Sequence, residues 1–134
     1  MNKNDLIYAA GFIDGEGCFT TMADKGFRLT ITSTDKSILE WFKEKFKGNI
    51  NGQFLPKNPK HSPAWKWILC KKKDLLTFTL AVLPYLKLKK SEAKTLTDYL
   101  SKYPTRKKPN EKSNRYADFI KTKNELKYLK TVHY

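Results

Sequence analysis

Cysteine and histidine are scarce in this chain of 134 residues. It contains two cysteines, Cys18 and Cys70, and two histidines, His61 and His133. So few residues cannot form a disulfide framework, and they do not supply a four-ligand zinc site from one chain. We therefore expect two free thiols and an intracellular, reducing compartment.

Long apolar runs are missing as well. The longest, Leu6 to Ile13, has eight residues, whereas a membrane-spanning helix needs roughly 20. The chain begins without the basic and then apolar pattern of a signal peptide, so we expect neither membrane insertion nor secretion. Hydrophobic residues make up 40% of the chain and aromatic residues 13%, which suffices for one compact domain with a modest core.

Acidic residues are few, and the imbalance lies in the second part of the chain. Residues 1–55 contain seven Lys or Arg and seven Asp or Glu, whereas residues 56–134 contain twenty basic and six acidic residues. The second part therefore carries the whole net charge of +14. A surplus of this size attracts polyanions, and nucleic acid is the predicted partner. An acidic lipid surface is a weaker candidate, because no long basic helix with a broad apolar face is evident.

Hydrophobic periodicity predicts an α+β domain with a four-stranded antiparallel sheet, in the order αββαββα with further helices. The predicted elements are a helix over 6–13 with Asn4 or Asp5 as its N-cap, strands over 18–24 and 27–33, a helix over 36–46 capped by Asp35 or Thr34, strands over 49–55 and 65–70, and helices over 71–83, 89–103 and 110–130. We expect residues 1–103 to form the core domain and residues 104–134 to form a basic extension packed on it or flanking it.

The first predicted helix is apolar on every side, although a surface helix normally has one apolar stripe. Either the core of its own chain buries it, or a second copy of the protein covers the face that the core leaves open. The small residues Ala9, Ala10 and Gly11 would allow two such helices to approach closely. The pattern alone does not separate these two interpretations.

The outward positions of the predicted strands are mostly polar. A polar outer face is ordinary for an antiparallel sheet, but this mixture also suits base reading, because Arg and Lys bind guanine, Asn and Gln bind adenine, and apolar groups contact the thymine methyl. The predicted DNA-binding residues are Thr20, Met22, Asp24, Arg28, Thr30, Thr32, Asn49, Asn51, Gln53, Lys66 and Ile68.

One segment carries a resemblance. Residues 8–19, Tyr-Ala-Ala-Gly-Phe-Ile-Asp-Gly-Glu-Gly-Cys-Phe, are similar to the signature of the LAGLIDADG homing endonucleases: a helix with a small pair, two apolar residues, then Asp-Gly-acid-Gly and a strand. The segments Thr34 to Phe42 and Leu83 to Lys89 also resemble their family counterparts. The resemblance implies the LAGLIDADG fold and, because the motif occurs once, a homodimer with a palindromic or nearly palindromic DNA target.

The resemblance also implies a chemistry. Two copies would bring their Glu16 carboxylates together near phosphates, with Mg²⁺ held by Glu16 and the Gly15 carbonyl, and Mn²⁺ as a substitute. Hydrolysis of one phosphodiester per strand would leave 3′ overhangs. Lys89 corresponds to a basic residue near the scissile phosphate. Asp35 falls where relatives carry a polar residue that orients solvent, although it could instead be only a helix cap.

The residues expected at the dimer interface are Tyr8, Ala10, Gly11 and Asp14. Leu39 departs from the family, because some relatives have a basic residue there. The alternative function is a non-cleaving nucleic-acid-binding protein of the same fold, either an RNA maturase or a DNA-binding regulator.

Overall fold

The computed structural model describes residues 1–22, 26–103 and 114–133. In chain order the elements are α1 (Lys3–Glu16), β1 (Gly17–Thr21), β2 (Phe27–Ser33), α2 (Lys36–Phe46), β3 (Asn49–Phe54), β4 (Ala64–Leu69), α3 (Lys72–Val82), a short 3₁₀ turn (Leu83–Tyr85), α4 (Lys90–Lys102) and α5 (Asn114–His133). The predicted αββαββα order with additional helices is confirmed. Within the described ranges no helix is long and apolar enough to cross a bilayer.

The four strands form one antiparallel sheet in the order β1-β2-β4-β3. Side chains alternate between the two sides of a strand, and the helices cover one side, which we call the inner face. This face is buried because the apolar residues of each strand recur at every second position. It consists of Phe19, Phe27, Leu29, Ile31, Trp67 and Leu69.

Trp67 is the largest of these fully buried side chains, and it fixes the junction between α2 and β3. Its indole Nε1 donates a hydrogen bond of 2.7 Å to the carbonyl of Lys47. Gly48 follows with φ +88°, and a Cβ at that position would lie 2.6 Å from the same indole nitrogen. A glycine is therefore required here by both the backbone conformation and the close approach of the ring.

Helix α1 is longer than predicted at both ends. Its N-cap is Asn2, whose Oδ1 accepts hydrogen bonds from the amides of Asn4 and Asp5, so the prediction of Asn4 or Asp5 as the cap is wrong. The helix also continues through Gly15 to Glu16, because the carbonyls near its end are satisfied by a side chain from a distant part of the chain.

Three strands differ from the prediction, and β4 does so only by a shift of one residue, to Ala64–Leu69. Strand β1 begins at Gly17 and ends at Thr21, and residues 23–25 lie outside the described part of the chain. Strand β3 changes register between Gly52 and Phe54. Alternation along the predicted strand from the inward Ile50 would make Phe54 inward as well, but this prediction is wrong, and 47% of the Phe54 side chain is exposed.

Helix α5 packs against α4 and β1. The Phe119 ring lies 5.2 Å from that of Phe27 and 6.3 Å from that of Tyr99. At the end of α4, Lys102 Nζ lies 2.7 Å from a carboxylate oxygen of Asp118. Residues 114–133 thus pack on the core. Residues 104–113, at the start of the predicted basic extension, lie outside the described residues.

Candidate active site and nucleic-acid interface

The acidic site lies where α1 ends and β1 begins. Glu16 is the last residue of α1, and both Glu16 and Gly15 are exposed. The backbone carbonyls in the last turn of a helix lack intrahelical partners. A carboxylate and a carbonyl oxygen are therefore available together at this corner of the molecule.

The position of that corner is fixed by Asp14. Its Oδ2 accepts a hydrogen bond of 2.8 Å from the amide of Lys87, and its Oδ1 accepts one of 3.0 Å from the amide of Lys89. The segment before α4 is thus fastened to the last turn of α1.

Lys89 completes the same connection. Its Nζ donates to the carbonyls of Ile13 and Asp14 at 3.2 and 3.1 Å, and the residue is only 6% exposed. A cation at the C-terminal end of a helix opposes the negative end of the helix dipole. The sequence therefore identified Lys89 as part of this corner, but not its contact with the helix carbonyls.

Asp35 serves as the N-cap of α2. Its Oδ1 accepts hydrogen bonds from the Ser37 hydroxyl at 2.5 Å and from the Ser37 amide at 2.9 Å. These bonds hold the pKa of the Asp35 carboxyl below its usual value. Asp35 is exposed, and it borders a groove of about 620 Å³ between α1 and α2 that Tyr8 and Trp41 also line.

One side of α1 is uncovered. Ile7 is 46% exposed and Tyr8 is 53% exposed, and a Cβ added at Gly11 or Gly15 would meet nothing within 4 Å. Ile7, Gly11 and Gly15 recur every four residues and so lie along one side of the helix. Ala10, which we expected at the dimer interface, has no exposed surface, because it packs into the core of its own chain.

The sheet has a second side that the helices leave open, which we call the outer face. Its strands align side chains in rows: Thr20 opposite Arg28, then Cys18, Thr30, Ile68 and Asn49, then Thr32, Lys66 and Asn51. The prediction omitted Cys18, although strict alternation from Thr20 would have included it. Thr30 is largely buried between its neighbours, and Met22 follows the end of β1. Asp24 lies outside the described residues.

The described residues in these rows include no acid. Arg28 lies among them, and its Nε is buried without a hydrogen-bond acceptor in the described part of the chain. A guanidinium without a carboxylate partner can form the paired hydrogen bonds that phosphates and guanine accept. The outer face is thus electrostatically suited to nucleic acid.

The described residues of one copy of the chain do not form a complete metal site. Among residues 1–22, 26–103 and 114–133, no three His, Cys, Asp or Glu side chains are grouped to hold a metal ion. Glu16 with the Gly15 carbonyl offers hard oxygen donors, which fit Mg²⁺. Carboxylate oxygens of a second copy and phosphate oxygens of a bound nucleic acid are of the same hard type and could complete the coordination.

Comparison with known proteins identifies relatives of this arrangement. No family model matches the chain. It is 28% identical over 142 residues to the DNA endonuclease I-CreI of Chlamydomonas reinhardtii, covering 98% of this chain and 85% of that protein. The structure resembles that of the homing endonuclease I-CvuI in complex with its target in the presence of calcium, with TM-score 0.74, 18% identity and coverage of 95% of this chain and 82% of that one.

A further similar structure is that of a LAGLIDADG protein. The LAGLIDADG meganuclease I-AabMI, bound to uncleaved DNA, has TM-score 0.70 and 21% identity, and the match covers 92% of this chain and 44% of that one. The four-stranded sheet and the acidic corner thus define the LAGLIDADG homing-endonuclease fold. With its motif at residues 8–19 occurring once, the chain is similar in sequence and fold to the LAGLIDADG homing endonucleases, and its size fits their single-motif group.

Proposed function

We propose that the protein is a site-specific DNA endonuclease that acts as a homodimer on a long, nearly palindromic duplex. It hydrolyses one phosphodiester in each strand with Mg²⁺ and leaves 3′ overhangs. The observation that carries this proposal is the exposed Glu16 carboxylate at the end of α1, beside an outer face whose described residues include no acid. Pure binding of DNA does not require an acid near phosphates, whereas hydrolysis assisted by a metal does.

The uncovered side of α1 supports a homodimer. Gly11 and Gly15 have open space where a side chain would lie, and Ile7 and Tyr8 beside them expose apolar area. Small residues spaced by four allow two helix backbones to come close. A two-fold pairing of α1 would place the two copies of Glu16 near each other and would match a palindromic target.

The pairing of two Glu16 carboxylates requires a metal ion between them. Two adjacent carboxylates repel one another unless a cation lies between them, and oxygen ligands select Mg²⁺, with Mn²⁺ as a substitute. Glu16 and the Gly15 carbonyl would hold it. When bound, Mg²⁺ supplies Lewis-acid stabilisation of the phosphate and of the leaving oxygen.

The protein groups around the metal hold the reacting strand. Lys89 adds positive charge at the same corner, where it offsets the charge that builds up on the phosphate. Asp35, as a solvent-facing carboxylate, orients water beside the scissile phosphate. Asp14 keeps the two segments together, so that Glu16 reaches the phosphate in a fixed direction.

Base recognition is the role of the outer face. Its residues combine a guanidinium, an ammonium, amides and hydroxyls, which together can read guanine and adenine edges in the major groove. Asn51 and Gln53 on β3 are the proposed adenine readers, and Arg28 on β2 is a proposed guanine reader.

One observation favours the non-cleaving alternative. Leu39 is fully buried and apolar, so α2 supplies no cation at the position where some relatives have one. A protein with fewer charges around the phosphate could bind DNA or RNA without cutting it.

Glu16→Gln separates the two functions. We expect this variant to lose Mg²⁺-dependent linearisation of a plasmid that contains the target, while its affinity in a mobility-shift assay stays near that of the wild type, because the amide keeps the size of the side chain and removes its charge. Glu44→Gln, on the exposed surface of α2, is the matched control and should cut normally. Cutting by Glu16→Gln at the wild-type rate would show that the proposed mechanism is wrong.

A further inference from the structure

The change of register in β3 turns an aromatic ring onto the outer face. Gly52 pairs with Trp65, but Phe54 pairs with Ala64, so one strand advances two residues while the other advances one. Trp65 belongs to the side of β4 that packs inward, and Ala64 lies on the opposite side with Lys66. The extra residue of the bulge therefore places Phe54 on the outer face.

Phe54 lies beside charged and polar side chains and is therefore not simply a core residue that is partly exposed. The Lys66 Nζ lies 5.7 Å from the centre of the Phe54 ring, within the range of a cation–π contact. Lys66 is in the row with Thr32 and Asn51, which are among the proposed base readers. An uncovered ring on this face thus lies beside charged and polar groups that already suit DNA.

We propose that Phe54 is a specificity-determining residue that contacts the 5-methyl group of a thymine in the major groove. This inference rests on the proposed function, because it needs the outer face to bind duplex DNA. The thymine methyl is the apolar group that base pairs present in the major groove, and phenylalanine is one of the side chains that contact it. The positive charge of Lys66 and the lack of acids among the described residues of the face match the charge of DNA.

Phe54 also positions Lys66. A lysine side chain is flexible, and the ring face restricts where its ammonium lies. Phe54→Leu removes the ring face but retains an apolar side chain, whereas Phe54→Ala removes both. The two variants therefore separate the methyl contact from the positioning of the ammonium.

The experiment begins with duplexes selected for binding to the full-length wild-type protein from a randomised library, so that it does not depend on cleavage. Each thymine of the selected consensus is then replaced singly by deoxyuridine, which removes only the 5-methyl group. We expect one position in each half-site at which this replacement weakens wild-type binding about fourfold, the effect of one buried methyl. Phe54→Ala should be insensitive at that position, and Phe54→Leu should retain most of the sensitivity.

Leu55→Ala is the matched control, because Leu55 is the next residue and is 78% exposed. It should show the wild-type profile of deoxyuridine sensitivity. A wild-type profile in Phe54→Ala, or no sensitive thymine in the wild type, would overturn the inference. So would a failure to select a consensus, or equal affinity for the matching RNA duplex, which lacks the methyl group. Selective binding without Mg²⁺-dependent cutting would count against the proposed function alone.

Discussion

Lys89 binds Asp14 through both its backbone and its side chain. The Lys89 amide donates to Asp14 Oδ1 at 3.0 Å, and the Lys89 ammonium donates to the Asp14 carbonyl at 3.1 Å. The two residues are 75 positions apart in the chain, yet together they define the direction in which the last turn of α1 presents Glu16. The acidic corner is therefore built by tertiary contacts rather than by the helix alone.

Asp14→Asn should destabilise the fold. The carboxylate accepts two backbone hydrogen bonds, whereas an amide offers one oxygen and no charge, so we expect the free energy of unfolding to fall by about 1–3 kcal/mol. Urea denaturation at fixed protein concentration measures this. Asp98→Asn, on the exposed side of α4, should change it by less than about 0.5 kcal/mol, and equal effects of the two variants would contradict the role of Asp14.

Lys89→Met should slow cleavage far more than it weakens DNA binding. It keeps the length of the side chain but removes the charge at the acidic corner, and we expect a loss of roughly 10²-fold in the single-turnover rate on bound target. Lys90→Met changes the neighbouring exposed lysine and should cut at close to the normal rate. The interpretation fails if both variants lose affinity and rate equally.

Gly11→Leu should stabilise the fold of the single chain but weaken the dimer. The position has open space and lies within α1, so replacing a helical glycine should stabilise the helix by up to about 1 kcal/mol. The same side chain should hold two α1 helices apart and raise the dimer dissociation constant, as measured by sedimentation equilibrium. Asn124→Leu, exposed on α5, is the control and should leave association unchanged.

Substitutions on the outer face and on the exposed side of α5 should differ in their effect on target choice. Asn51→Ala or Gln53→Ala should relax the base preference at one or two positions, with a cost of about 1–3 kcal/mol at those positions. Lys127→Ala, on the exposed side of α5, should weaken binding to all sequences alike and reduce its salt dependence. Selection of targets with each variant tests this, and identical profiles would remove the assignment of base reading.

The attachment of α5 to α4 should depend on pH. The hydrogen bond from Lys102 and, to a smaller extent, the hydrogen bond from Tyr103 lower the pKa of the Asp118 carboxyl from its usual value of 3.8. Because the folded pKa lies below the unfolded one, Asp118 contributes stability above about pH 3.8, and this contribution disappears as the pH falls through the folded pKa. The difference in urea midpoint between wild type and Asp118→Asn should therefore be constant near neutral pH and shrink in acid, whereas the difference for Asp98→Asn should not.

The elements that were predicted well are those determined by nearby residues. Helix α2 begins and ends at the predicted residues, because Asp35 caps it locally and its apolar residues recur at helical spacing. Strand β2 also has the predicted bounds, since its alternation is uninterrupted. The end of α1 was not predictable in this way, because it depends on Lys89 far along the chain.

In the candidate site, too, the features set by local sequence were predictable, and those set by tertiary packing were not. The motif singled out Glu16 and Gly15, and the structure has both of them exposed at the end of α1. Ala10 could not be distinguished from its exposed neighbour Gly11 by composition, because both are small and only packing decides which side of the helix is covered. The orientation of Phe54 depends on a pairing irregularity between two strands, which leaves no mark in the apolar pattern of either strand.

The bulge in β3 offers a route to altered targets that substitutions do not. Since side chains alternate sides along a strand, deleting Gln53 would remove the surplus residue and leave Phe54 opposite Ala64 on the outer face, but without Gln53 beside it. One additional residue elsewhere in β3 would instead exchange the sides on which the residues after it lie. Related proteins could therefore diverge in the sites they recognise through single-codon length changes, while the acidic corner stays untouched.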